Sequence, residues 1–134
     1  MERKNTGGVQ TYRDLVAWQK AMELTEHVYE VTKSFPKDER FGLTAQMRRS
    51  AVSIPSNIAE GFGRSHSRDF KRFLQIAKGS LFEFQTQAEL ARRMKWLGGQ
   101  SCTAIRELSQ RVDALLTGLI RSIGKGKPSA PPNP

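Results

Sequence analysis

Apolar residues recur every three or four positions through four successive stretches of this chain, and that periodicity constrains its fold more than any other feature. Leu15, Trp18, Ala21, Met22, Leu24, Val28 and Val31 form the first stripe. Leu43, Met47, Ala51, Ile54, Ile58 and Phe62 form the second, and Phe70, Phe73, Leu74, Ala77, Leu81, Phe84, Ala88, Ala91 and Met94 the third. Ile105, Leu108, Val112, Leu115, Leu119 and Ile123 form the fourth. Such spacing lays apolar side chains along one face of an α-helix, and no stretch alternates with the period of two that a half-buried strand needs. Helices joined by short links run antiparallel to their neighbours. The expected fold is all-α, an antiparallel up-down-up-down four-helix bundle over residues 12–123. A chain of 134 residues has length for one such core and not for two.

The breaks between stripes set the expected boundaries. The first helix opens near Thr11 to Asp14 and stops at Phe35-Pro36, because proline disfavours helical geometry in the residue before it. Lys37, Asp38 and Glu39 restart a helix, with the acids at the positive end of its dipole. Gly61 and Gly63 close the second helix, and Ser65 or Ser67 caps the third. The third helix runs from about Ser67 to Leu97, where Gly98-Gly99 ends it, and the fourth from about Ser101 to Ile123. Residues 1–11 read as a flexible arm and residues 124–134, GKGKPSAPPNP, as a disordered tail.

The stretch SIPSNIAEG needs its own account, because its proline falls inside the second stripe without shifting the phase of that stripe. The helix is therefore expected to continue through Pro55 with a kink between Ala51 and Ser56. Ser53, Ser56 and Asn57 are placed to satisfy the carbonyls that a proline frees, while Asn57 and Glu60 serve as buried or interfacial anchors and Gly61 ends the helix. Ser53, Ser56, Asn57 and Glu60 have the composition of a hydrolytic cluster. Their position on one helical flank is explained more simply by hydrogen bonding to a bent backbone, so no catalytic residue is assigned and the chain reads as a non-enzyme. His27 and His66 have no second histidine or cysteine at ligand spacing, so neither a metal nor a cofactor is expected. GFGR follows no strand and is not a dinucleotide fingerprint. The single cysteine, Cys102, rules out an intramolecular disulfide and fits a reducing cytoplasm. With no apolar run at the N-terminus and no membrane-length segment, a soluble cytoplasmic protein is expected.

Charge supplies the functional lead. Lys and Arg number 22 against 13 Asp and Glu, a formal net charge of +9, which favours polyanionic partners. Arg68, Lys71, Arg72, Lys78, Arg92 and Arg93, with Gln75 and Gln85 among them, recur at helical steps along the third helix and form a polar face that can follow the phosphates of RNA or DNA. Arg48, Arg49 and Arg64 make a second basic cluster; pairing with Glu39, Glu60 or acids of a neighbouring subunit is the other reading of these three. A solvated helix face explains the longer stripe as readily as phosphate binding does. Trp18 and Trp96 have the rings to stack on bases, yet their spacing beside apolar neighbours marks them for packing. Phe82, Trp96, Leu97, Val16 and Tyr29 fall beside the main stripes and hint at a self-association surface.

The segments DLVAWQKAMEL, TKSFPKDERFGLTAQMRRSAVSIPSNIAEGFGR and DFKRFLQIAKGSLFE resemble the 23S rRNA-intervening-sequence protein family, over about Tyr12 to Ile123. That resemblance implies a small helical bundle assembling as a homopentamer with basic surfaces, with no enzymatic activity established for its members. The accessory variability proteins of diversity-generating retroelements, a distantly similar branch, imply a nucleic-acid or protein partner. The leading expectation is a nucleic-acid-binding oligomer, and the alternative is an adaptor whose ring docks another protein.

Overall fold

The computed structural model describes residues 8–124, so the expected arm up to residue 7 and the expected tail from residue 125 lie outside the described residues. Four helices build the molecule: α1 (Val16–Thr32), α2 (Leu43–Phe62), α3 (Ser67–Arg93) and α4 (Gly99–Gly124), with no strand among the described residues. Both α1 and α3 pack on α2 and α4, which places α1 and α3 at diagonal corners of a square. Neighbouring helices run antiparallel. Thr32 meets Arg48 while Thr25 meets Ala51; Ser50 meets Gln87 while Ser53 meets Ser80; Gln85 meets Ser109 while Lys78 meets Thr117. The bundle is the up-down-up-down arrangement that the stripes predict. One pole therefore holds the α2–α3 turn together with the start of α1 and the end of α4, and the other holds the α1–α2 and α3–α4 links.

The stripes form the core. Leu24 and Val28 of α1, Met47, Ile54 and Ile58 of α2, Leu74, Leu81 and Phe84 of α3, and Val112, Leu116 and Leu119 of α4 are fully buried. Each such burial contributes about 1.5–3 kcal/mol relative to exposure, and this packing, more than helix propensity, holds the helices.

Several boundaries differ from those the sequence predicts, each for a local reason. The start of the first helix is divided: Thr11 and Asp14 form a reciprocal capping box on a three-residue 3-10 turn, Tyr12–Asp14, and an extended Leu15 precedes α1. The restart at Lys37 is likewise only a 3-10 turn, Lys37–Glu39. Glu39 then reaches forward, its Oε1 accepting from the Leu43 amide at 2.9 Å, because Gly42 at the N-cap has no side chain to do so. Gly61 does not end α2 but lies buried within it, and Gly63 closes the helix with ordinary right-handed dihedrals. The residue preceding α3 is His66, which makes no side-chain cap, rather than a capping serine.

At its far end α3 stops at Arg93, short of the glycine pair. The Trp96 amide donates back to the Ala91 carbonyl and the Lys95 amide to that of Arg92, the two bonds of a Schellman cap, with Lys95 in the left-handed region at φ 68°. This reversal buries Leu97 and seats Trp96 against Phe35, their ring centroids 6.0 Å apart, so both residues close the end of the core instead of forming an outer surface. Met94, expected on the inner stripe, is half exposed as the C-cap residue. Gly99 opens α4 at φ 60°.

Helix α2 continues through Pro55, as the unbroken stripe requires. Proline removes the donor for the Ala51 carbonyl. Ser56 and Asn57 do not serve that carbonyl: Ser56 Oγ donates to the Val52 carbonyl at 2.8 Å and Asn57 Nδ2 to the Ser53 carbonyl at 2.8 Å. The donor comes from the neighbouring helix, where Thr25 Oγ1 lies 3.1 Å from the Ala51 oxygen and 2.8 Å from the Ala21 oxygen of its own helix. The sequence-local reading missed it because the partner is 26 residues away.

A candidate nucleic-acid interface at the α2–α3 pole

The pole at the α2–α3 turn collects cations from several elements. Arg68, Lys71 and Arg72 occupy the first turns of α3; Arg68 and Arg72 are exposed and Lys71 half-buried. None of the three has a carboxylate within ion-pair distance among the described residues. The start of a helix carries the positive end of its dipole, so cations there oppose the field that stabilises the helix. The same arrangement attracts anions, because free amides and side-chain charges act together. Asp69 is the one acid in that turn. Phe73 anchors the cluster: the Arg72 guanidinium lies 4.9 Å and that of Arg64 4.8 Å from its ring centroid, within cation–π range. Arg64 also binds Glu60 at 2.9 Å, so its charge is partly offset.

Two further cations join this pole that residue-by-residue reading did not single out. The Lys78–Thr117 and Gln85–Ser109 pairs set a register that brings Arg121 level with Leu74, about two turns into α3 and just beyond Arg72. Arg13, before α1, lies at the same pole, its guanidinium 5.3 Å from the Tyr12 ring and 5.9 Å from that of Trp18. The available signal was topological: in an up-down bundle of four helices, residues flanking the first and last helices share a pole with the middle turn.

The remaining expected cations stand elsewhere, and all but Arg49 are engaged. Arg48 turns toward α1, where its Nε donates to Thr32 Oγ1 at 2.9 Å and its guanidinium stacks 4.6 Å from the Tyr29 ring centroid. Lys78 spans the α3–α4 seam, donating to Thr117 Oγ1 at 2.6 Å with Asp113 at 3.5 Å. Arg92 and Arg93, near the opposite pole, both clamp Glu89, at 2.8 and 2.9 Å. The hydrogen bonds from Arg92 first, and then Arg93, hold the Glu89 carboxyl down at about 2. Arg49 is exposed on α2 with no ion-pair partner among the described residues, but midway along the helix and away from the pole. The single basic stripe read from sequence is thus two groups, one without carboxylate partners among the described residues and one partly offset by Asp113 and Glu89.

The SIPSNIAEG residues act mainly within the bundle. Ser53 Oγ meets Ser80 Oγ at 2.8 Å, continuing a polar seam between α2 and α3 that includes a buried Ser50–Gln87 bond of 2.7 Å. Asn57 is half-buried on the same flank, Pro55 and Gly61 are buried, and Ser56 and Glu60 are exposed, Glu60 meeting Arg64 of its own chain. A concavity of about 870 Å³ around Lys95, Gly98, Cys102 and Arg106 lies at the opposite pole, with Glu107 on its wall. No group of three or more His, Cys, Asp or Glu side chains is placed to hold a metal among the described residues. None of the described helices is long and apolar enough to cross a membrane.

These features define an all-α four-helix bundle with an electropositive pole. The chain belongs to the 23S rRNA-intervening sequence protein family, whose model matches residues 13–118. Among solved structures it is similar to a protein of unknown function from the S23 ribosomal protein family of Bacteroides thetaiotaomicron, with 24% identity, a TM-score of 0.72, and coverage of 78% of this chain and 98% of that one. At that identity the likeness speaks for the fold alone. No match was found among curated proteins.

Proposed function

We propose that this protein is a non-enzymatic, self-associating bundle that binds nucleic acid through its phosphate backbone, with Arg68, Lys71 and Arg72 as the principal contacts and Arg13 and Arg121 beside them. One observation carries the reading: Arg68 in the first turn of α3, where a cation opposes helix stability, and Lys71 and Arg72 in the next turn stand without a carboxylate partner among the described residues. Charges placed only to solvate a helix face are better accommodated at its other end. Self-association strengthens the case, since a ring repeats the basic pole and the contacts become multivalent. The family's name and that of the structural neighbour's family refer to ribosomal RNA and ribosomal protein, which makes structured RNA the first polyanion to test.

Fluorescence anisotropy of nuclease-treated protein against a structured RNA and a duplex DNA tests the proposal. Five phosphate contacts on duplex DNA would weaken binding by roughly 500-fold between about 50 and 200 mM salt. Reversing Arg68, Lys71 and Arg72 to Glu is expected to abolish it. No binding at the lower salt would leave protein docking as the better account, a reading that the exposed Phe41, Leu90 and Met94 favour.

A further inference from the structure

An apolar knob and an apolar groove on this molecule suit one another but cannot meet within one chain. The knob is Phe41, 83% exposed just before α2, with the Arg40 guanidinium 4.8 Å from its ring centroid. No other large hydrophobic side chain among the described residues is as exposed, and a phenylalanine so placed does nothing for its own core. The groove lies between α1 and α2, has a volume of about 320 Å³, and is lined by Tyr12, Trp18, Met22, Val52, Pro55 and Ala59 among others. An enclosed cavity of about 150 Å³ already admits benzene, so this groove has room for a phenyl ring. Pro55 contributes its apolar ring to the groove wall.

Distance excludes insertion within one chain. Pro55 stands twelve positions beyond Leu43 on the same helix, about 18 Å along its axis, whereas Phe41 lies just before that helix begins. Charge supports a second copy as the occupant. Glu26, exposed one residue beyond the groove-lining Thr25, has no cation within ion-pair distance among the described residues, and Arg40 has no carboxylate. A knob flanked by a free arginine thus faces a groove flanked by a free glutamate.

We infer that Phe41 of one copy inserts into the α1–α2 groove of the next, with Arg40 meeting Glu26. Because knob and groove are different surfaces, the contact is head-to-tail and propagates around a ring or along a filament. The inference rests on the self-association proposed above and supplies its surfaces; it leaves the basic cluster of α3 outside the contact.

The test is light scattering coupled to size-exclusion chromatography on the full chain. The wild type is expected to run as an oligomer, and Phe41→Asp and Val52→Glu each as a monomer of unchanged helicity. Phe41→Ser serves as the milder second variant. An equimolar mixture of the Asp and Glu variants is expected to yield a dimer and nothing larger, because one copy still offers a groove and the other a knob. An oligomeric wild type with variants that remain oligomeric would overturn this contact while leaving self-association standing, as would a mixture that stays monomeric. A monomeric wild type at every concentration would overturn both, without touching the proposed phosphate contacts.

Discussion

Lys95 and Gly61 carry opposite lessons about backbone and side chain. Lys95 adopts φ 68° at the position of a Schellman cap where glycine has no steric cost, and it sits there because Trp96 and Leu97 must turn back into the core. Lys95→Gly is expected to stabilise the protein by about 0.5–1 kcal/mol, the left-handed strain relieved less the added freedom of the unfolded chain, read as a higher urea midpoint at unchanged m. A lower midpoint would mean that the lysine side chain makes a contribution larger than the strain. Gly61 is needed for space: a Cβ there would stand 2.6 Å from Phe73 Cβ and 3.3 Å from the Phe70 carbonyl oxygen. Gly61→Ala should destabilise by about 1–3 kcal/mol through overpacking, measurable by the same titration. Sequence read Gly61 and the Gly98-Gly99 pair as helix terminators because glycine ends helices locally, whereas the close approach at Gly61 is visible only once α3 lies against α2.

At the scale of the element, α2 depends on α1 at Pro55. The Ala51 carbonyl is freed by the proline and met by Thr25, so Thr25→Val should cost about 1–3 kcal/mol by leaving a buried acceptor unmet. In Pro55→Ala the backbone amide returns to that carbonyl, and the cost of Thr25→Val should fall, giving a non-zero coupling in a double-mutant cycle. Additive effects would show that the threonine serves only its own helix. In α3 the pairing of Glu89 with Arg92 and Arg93 has its own signature. A depressed carboxyl pKa contributes stability that is fully present above its unfolded value, 4.5, and lost as pH falls through about 2. A carboxyl-detected NMR titration should therefore place the Glu89 midpoint near 2, and Arg92→Ala with Arg93→Ala should return it toward 4.5. The four helices were legible because their stripes are long and in phase. Their ends were less so, since the cap at Lys95 and the donor at Thr25 depend on tertiary contacts that no local spacing encodes.

For the whole molecule, the proposed function turns on which cations are free. Sequence spacing showed a basic third helix without separating its cations: Asp113 and Thr117 reach Lys78 only in the fold, whereas the pairing of Glu89 with Arg92 and Arg93, three and four positions on, is a local signal that the spacing already carried. The up-down topology then adds Arg13 and Arg121 to the same half of the molecule, on other corners of the bundle. The most direct measurement is the slope of log binding constant against log salt for wild type, for Arg68, Lys71 and Arg72 changed together to Ala, and for Arg92 and Arg93 changed together to Ala. The account predicts a slope on duplex DNA reduced by about 3 for the first variant, with a large loss of affinity, and little change for the second. Equal losses from both variants, or a loss confined to the second, would contradict it.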